Sequence, residues 1–286
     1  MIAISSLSKN FGQIKALNNV TLKIDEPGLT CFLGENGAGK TTLFKIITGI
    51  VRASGGSVSV NGIDVQSQPK KALLLMGSLV EQPEFYPYLT GKELLEFTGK
   101  IRGLKGRELE TEIERVTKMM SIGEYLNRKS GSYSRGMKQR LGVAVAMIGD
   151  PEILVLDEPT FGMDPRGIIE MRKILKDMRD GREKFILMST HLLEEARELS
   201  SRIIILKRGE VKFDATSPFG KRFVRVVGEI NVPEQLKGRV VENGVDYVVL
   251  DVEEDATPLI SSLINNGSTI RYVLPYDRLE EHFLKD

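Results

Sequence analysis

Gly34-Glu35-Asn36-Gly37-Ala38-Gly39-Lys40-Thr41-Thr42 fits the pattern G-x-x-x-x-G-K-[ST], in which a glycine loop cradles phosphates. Its flanks suit that reading. Leu29-Thr30-Cys31-Phe32-Leu33 reads as a short buried strand, and Thr41 to Gly49 carries apolar residues at helical spacing with a glycine stop. The four fixed positions should match by accident in roughly one chain per hundred of this length, and a strand feeding the loop into a helix makes accident less credible still.

The chemistry explains the residue types. Glycines let successive backbone N–H groups turn inward toward β- and γ-phosphates, and the helix start adds the positive end of its dipole. Lys40 supplies a compensating charge, the Thr41 hydroxyl is placed to bind Mg²⁺, and Thr42 falls next to the α-phosphate.

The 286 residues suffice for one large domain and a small appendage. Forty basic side chains against 39 acidic ones leave a formal charge of +1, so no strong field calls for nucleic acid or a membrane surface. The single cysteine, Cys31, excludes an internal disulfide and a cysteine-rich metal site; its apolar strand suggests a packed thiol in a reducing compartment. No stretch approaches the ~20 apolar residues of a membrane-spanning helix. The N-terminus lacks the look of a signal peptide, so the expectation is a cytoplasmic protein that reaches a membrane only through another polypeptide.

In chain order, residues 2–8 and Val20–Ile24 read as strands, with Phe11 between them either stacking on an adenine ring or packing in the core. Ser57 to Val65 reads as a hairpin with an Asn61-Gly62 turn. The run from Leu73 to Val80 reads as a buried strand ending at Glu81-Gln82, where the Gln82 amide could reach a metal ion or a water. From 83 to 150 the chain turns helical: Thr90-Gly91-Lys92-Glu93 has capping-box spacing, helical periodicity runs from Glu93 to Met119 broken at Gly103 and Gly106, and Arg135 to Ile148 forms another helix.

Pro151 to Pro159 then reads as a doubly buried strand ending in two carboxylates. Ligands sit at strand ends in open α/β sheets. Asp157 suits the Mg²⁺ shell, and Glu158 suits a base that orients or deprotonates the water attacking the γ-phosphate. Asp164-Pro165 caps a helix running to Asp180, with Gly181 as its stop, and Lys184 to His191 is a further buried strand whose terminal histidine could contact the γ-phosphate. His282, near the C-terminus, needs no such role. Residues 202–207 and 210–214 suggest a closing hairpin, and Thr216 to Gly220 a boundary. Beyond it, strands at 223–227, 247–252 and 269–273, a helix near 257–265 and a final helix from Asp277 suggest a small α+β unit.

Together these landmarks resemble the nucleotide-binding subunit of ABC transporters, over residues 1 to about 216. In that light Phe11 looks like the adenine-stacking aromatic, residues 34–42 the Walker A loop and Gln82 the Q-loop glutamine. Ile153–Glu158 looks like the Walker B strand with its catalytic carboxylate, Met163-Asp164 the D-loop and His191 the switch histidine. The family signature Leu-Ser-Gly-Gly-Gln appears as Tyr133-Ser134-Arg135-Gly136-Met137, which retains Ser134 and Gly136 and departs at the other three positions. The following Lys138-Gln139-Arg140 and the C-terminal tail are similar to ATPases serving separately encoded exporter permeases.

The resemblance implies an α/β fold: a P-loop NTPase core with an antiparallel β subdomain, an inserted helical subdomain at about 83–150, and a C-terminal accessory domain at 217–286. It implies ATP and Mg²⁺ as ligands, a transmembrane permease as partner, and a second ATPase subunit, identical or related, whose Ser134 and Gly136 cap the nucleotide at the first subunit's loop. A soluble ATPase acting on nucleic acid or ribosomes is the competing reading. It fits less well, because only 52 positions separate Gln82 from Ser134, with no sustained heptads between them.

Overall fold

The computed structural model describes residues 1–286 other than 182, 217–221, 253–254, 277–278, 280, 282 and 284–286. The chain divides into two compact units, Met1–Thr216 and Ser217–Asp286. Along the first run β1 (Ile2–Phe11), β2 (Ile14–Ile24), β3 (Gly28–Leu33), α1 (Lys40–Ile47), β4 (Gly55–Val60), β5 (Ile63–Asp64), α2 (Pro69–Leu74) and β6 (Met76–Leu79). There follow α3 (Gly91–Ile101), α4 (Gly106–Met120), α5 (Arg135–Met147), β7 (Ile153–Asp157), α6 (Pro165–Asp180), β8 (Phe185–Thr190), α7 (Leu193–Leu199), β9 (Arg202–Lys207) and β10 (Glu210–Thr216).

Two sheets result. One is antiparallel, ordered β2-β1-β4-β5; the other is ordered β10-β9-β3-β8-β7-β6, with β9, β3, β8, β7 and β6 parallel and β10 an antiparallel edge. Every residue of β3, β7 and β8 is buried, the pattern of strands covered on both faces. Ile2, Ile4 and Val58 of the antiparallel sheet share one apolar core with Phe32, Phe44, Val155 and Leu187. Burial on that scale, about 25 cal/mol per Å² of apolar surface, holds the two sheets together.

The helical insertion begins as its capping box suggests. The Thr90 side chain accepts from the Glu93 N–H while Glu93 accepts from the Thr90 N–H. Asp164 caps α6 through the Gly167 N–H with Pro165 in the first turn, and the β4–β5 turn places Asn61 and Gly62 at φ 48° and 78°.

Several expectations need correction. Residues 2–8 and 20–24 are parts of a longer hairpin, β1–β2, whose pairing reaches Phe11 and Ile14. The run 73–80 is not one strand: Leu73 and Leu74 close α2, and the strand is only Met76–Leu79. A run of leucines carries no period to separate the two states, and Pro69 at the first helical position decides for the helix. The strand starts where Gly77 packs against α5, since a Cβ there would lie 1.7 Å from the Ala146 carbonyl oxygen. A short helix, α7, follows β8 where the sequence suggested no element.

The second unit carries β11 (Arg222–Glu229), β12 (Val240–Asn243), β13 (Tyr247–Val252), α8 (Thr257–Asn265) and β14 (Thr269–Tyr276). Its strands form an antiparallel sheet ordered β12-β13-β11-β14, and Val226, Val248, Leu250, Leu259 and Leu263 make its core. The expected helix from Asp277, with His282, falls largely outside the described residues, as does most of the boundary at 216–220.

Candidate nucleotide site

Parallel register gathers the predicted residues. Leu33 of β3 pairs with Thr190 of β8, Asp157 of β7 with Ser189 of β8, and Leu79 of β6 with Leu156 of β7. Four neighbouring strands therefore end along one edge, and the next residues are Gly34, Glu158, His191 and, two positions on, Glu81-Gln82. Strand-end crevices are where α/β sheets bind ligands.

The glycine loop is shaped by its neighbours as well as by its own sequence. Gly39 adopts φ 108°, and a Cβ there would stand 2.7 Å from the Ala16 carbonyl oxygen and 2.9 Å from Leu17 Cδ2. Gly34 is equally confined, since a Cβ there would stand 2.4 Å from the Leu206 carbonyl oxygen. No side chain caps α1 at Gly39, so the first N–H groups of that helix stay open to an anion. Glu35, Asn36 and Gly37 form the exposed rim, Ala38 is buried, and Thr41 and Thr42 are half-buried. Lys40 is buried, and its Nζ donates to the Gly34 and Glu35 carbonyl oxygens at 2.5 and 3.0 Å, bridging the loop from within. Burial lowers its pKa, and the Glu158 and Asp157 carboxylates offset part of that shift.

Across the sheet, the buried Asp157 accepts from the Ser189 hydroxyl, whose oxygen in turn accepts from the Glu158 N–H at 3.0 Å. Glu158 sits at φ 45°, a conformation costing on the order of 1–2 kcal/mol outside glycine. Its carbonyl oxygen accepts from Gln139 Nε2 at 3.1 Å and from the Phe161 N–H at 3.0 Å, and its Oε1 lies 3.1 Å from His191 Nδ1. Strained residues held in place by their surroundings cluster at active sites.

The remaining predicted residues are more dispersed. Gln82 is exposed, and it is the preceding residue, Glu81 at φ 66°, that reaches α1, through Lys45 Nζ at 2.6 Å. Phe11 is 48% exposed under Lys9, whose Nζ is 4.8 Å from the ring centre, so the core alternative is excluded. Ser134 is the exposed N-cap of α5 and accepts from the Met137 N–H at 3.2 Å. At Gly136 a Cβ would meet nothing nearer than 3.6 Å.

The family model for the ABC transporter domain matches residues 17–161, just over half of the chain. The chain belongs to the ABC transporter ATP-binding family. It is 33% identical to the uncharacterized ABC transporter ATP-binding protein YdbJ of Bacillus subtilis, covering all of this chain and 94% of that one. It is 30% identical to the bacitracin transport ATP-binding protein BcrA of Bacillus licheniformis, covering all of this chain and 96% of that one. Among solved structures, the cassette MJ0796, a dimer in a post-hydrolysis state bound to ADP and Pi, is similar with a TM-score of 0.70 at 27% identity, over 76% of this chain and 98% of that one. The protein is thus an ATP-binding subunit of an ABC transporter and an ATP hydrolase.

In this ABC ATPase two further polar residues support the acid. Ser189, the last but one residue of β8, joins Asp157 to Glu158, and Gln139, fully inside α5, ties the helical insertion to the Glu158 carbonyl. Only the burial of a polar residue in an apolar strand or helix face hinted at them. The residues present also fit Mg²⁺. Thr41 and Asp157 offer hard oxygen donors, and among the described residues no group of three or more His, Cys, Asp or Glu could hold an ion unaided. Mg²⁺ is typically bound through one or two carboxylates plus substrate phosphates, and held by Thr41 and Asp157 it would offset negative charge on the nucleotide's phosphates.

Proposed function

We propose that this subunit powers an exporter. ATP-driven pairing of two ATPase subunits, identical or related, would move a separate transmembrane permease on whose inner face the chain resides. The observation that carries the ATP-hydrolysing part of this reading is the common edge of β3, β8 and β7, beside which Lys40, Glu158 and His191 lie. Residues 34–42 grip the phosphates, with Lys40 as counter-charge, Thr41 and Asp157 on the Mg²⁺ shell, and Phe11 against the adenine. Glu158 takes the proton of the attacking water, and His191, hydrogen-bonded to it, faces the γ-phosphate. Gln82, beside Glu81 on the loop into the helical insertion, reports nucleotide state to that insertion and adds a metal contact.

Ser134 and Gly136 act on the second subunit's nucleotide. Two features support this: the Ser134 oxygen accepts from its own helix but keeps its O–H to donate, and Gly136 is not demanded by crowding within its own chain. The dimeric state of the MJ0796 cassette agrees with such a pairing. A transport role is supported by the BcrA relative, named for bacitracin transport, and export by the likeness of Ser134, Gly136 and Lys138-Gln139-Arg140 to ATPases serving separately encoded exporter permeases. The near-neutral charge of +1 supports no nucleic-acid role.

The test is Glu158→Gln. With ATP it should shift the protein from monomer to dimer on a sizing column while turnover falls by about 10²–10⁴. Wild-type turnover would remove Glu158 from its role, and a monomer at saturating ATP would remove the pairing. Purifying the tagged chain from detergent-solubilised membranes should bring down a polytopic membrane protein.

A further inference from the structure

Among the described residues, one buried charge has no part in the mechanism above. Glu195, in the first turn of α7, is 1% exposed, and its carboxylate accepts from the Thr160 hydroxyl at 2.8 Å and from the Thr190 hydroxyl at 2.6 Å. Both threonines are themselves buried. Thr160 lies two residues after Glu158, and Thr190 immediately precedes His191. The Thr190 oxygen also accepts from the Leu192 N–H at 3.1 Å, so His191 is bracketed on both sides. Arg172 of α6 is the facing cation: its Nε stands 3.5 Å from Glu195 Oε1 without forming a hydrogen bond, while its Nη1 donates to Glu198.

A carboxylate removed from water is costly unless paired and hydrogen-bonded, and an apolar side chain would fill the same space at lower cost. What the carboxylate provides and an apolar group cannot is two directed acceptors. They bind segments from different strands, the turn after β7 and the end of β8. Glu158 Oε1 and His191 Nδ1 belong to those same segments and meet at 3.1 Å. Ser189 makes one link between the strands, below the acid; Glu195 makes a second, between Thr160 just beyond Glu158 and Thr190 just before His191. With the Glu158 backbone at φ 45°, losing the second link would let the turn relax toward a commoner conformation.

We propose that Glu195 is a positioning residue for ATP hydrolysis, its carboxylate holding Thr160 and Thr190 together so that Glu158 and His191 keep their working separation. The proposal rests on the roles given above to Glu158 and His191.

The experiment uses the full chain and compares steady-state turnover, ATP affinity by titration calorimetry and melting temperature for Glu195→Gln, Glu158→Gln and the double variant. Glu195→Gln should lower kcat by about tenfold, a typical coupling within one hydrogen-bonded network, with ATP affinity unchanged. In the Glu158→Gln background the same change should have no further effect on residual turnover, because the group being positioned has gone. Thr160→Val, isosteric but without the donor, should lose kcat like Glu195→Gln, and Thr160→Ser should restore it; this pair carries the test if Glu195→Gln does not fold. Full kcat in Glu195→Gln or Thr160→Val beside a slow Glu158→Gln overturns this proposal alone. So does an equal loss in both backgrounds, which is what general destabilisation gives. Wild-type turnover in Glu158→Gln overturns the base assignment and takes this proposal with it.

Discussion

Two helix starts in this molecule are built in opposite ways. α1 opens at Gly39, at φ 108°, with no side-chain cap and with backbone and side-chain atoms pressed so close that no Cβ fits. α5 opens at Ser134, which caps its own helix through the Met137 N–H, and two residues on Gly136 has room for a Cβ at ordinary contact distance. At α1 the fold and the ligand ask for the same glycine. At α5 the fold is already satisfied without a glycine, and under the proposed pairing Gly136 serves the second subunit's nucleotide.

Four substitutions break or sharpen that contrast, beginning with the largest effect. Gly39→Ala sets a Cβ against the Ala16 carbonyl oxygen in a left-handed conformation, and should cost about 2–5 kcal/mol of stability and abolish ATP binding, read by thermal denaturation and calorimetry. Lys40→Ala removes the charge that bridges the loop, and should weaken ATP binding by about 1.5–3 kcal/mol. The pH dependence at Lys40 separates its two roles. Its pKa is lowered by burial, so the folded chain binds fewer protons than the unfolded one between the two values, and stability without ATP should rise with pH there. ATP affinity should fall across the same window as the counter-charge is lost, and should do so less in Lys40→Ala.

Ser134→Ala removes an N-cap and should cost about 1 kcal/mol of stability. ATP binding to a monomer should be untouched, whereas the ATP-dependent dimer of Glu158→Gln should no longer form; a dimer that persists would put the contact elsewhere. Gly136→Ala should have the smallest effect on the isolated chain, a gain of about 0.5–1 kcal/mol from helix propensity in a melting experiment. It should nevertheless reduce turnover, and an active, more stable variant would show that the glycine serves no partner.

Much of the site was legible because its chemistry is local in sequence. The glycine loop, the acids closing Ile153–Asp157 and the histidine after Phe185–Thr190 each follow a buried apolar run that announces a strand and its end. The misreadings lie where local signals are mute. Leu73 to Leu75 has no period, so a proline four residues upstream settled the helix. Ser189 and Glu195 belong to no motif, and the contacts of these two and of Gln139 reach partners at least five positions away and mostly 19 to 35.

By itself the amino-acid order determined that a strand-loop-helix phosphate cradle exists, that two carboxylates and a histidine close later strands, and that a capped helical block lies between them. These follow from residues within a few positions of one another, where spacing alone fixes direction and exposure. The order β3-β8-β7-β6, which brings those strand ends to one edge, and the buried hydroxyls and carboxylate that hold Glu158 against His191, were decided by tertiary structure. Pairing between strands more than a hundred residues apart is chosen by the shared burial of their apolar faces, a property no short stretch of the chain contains.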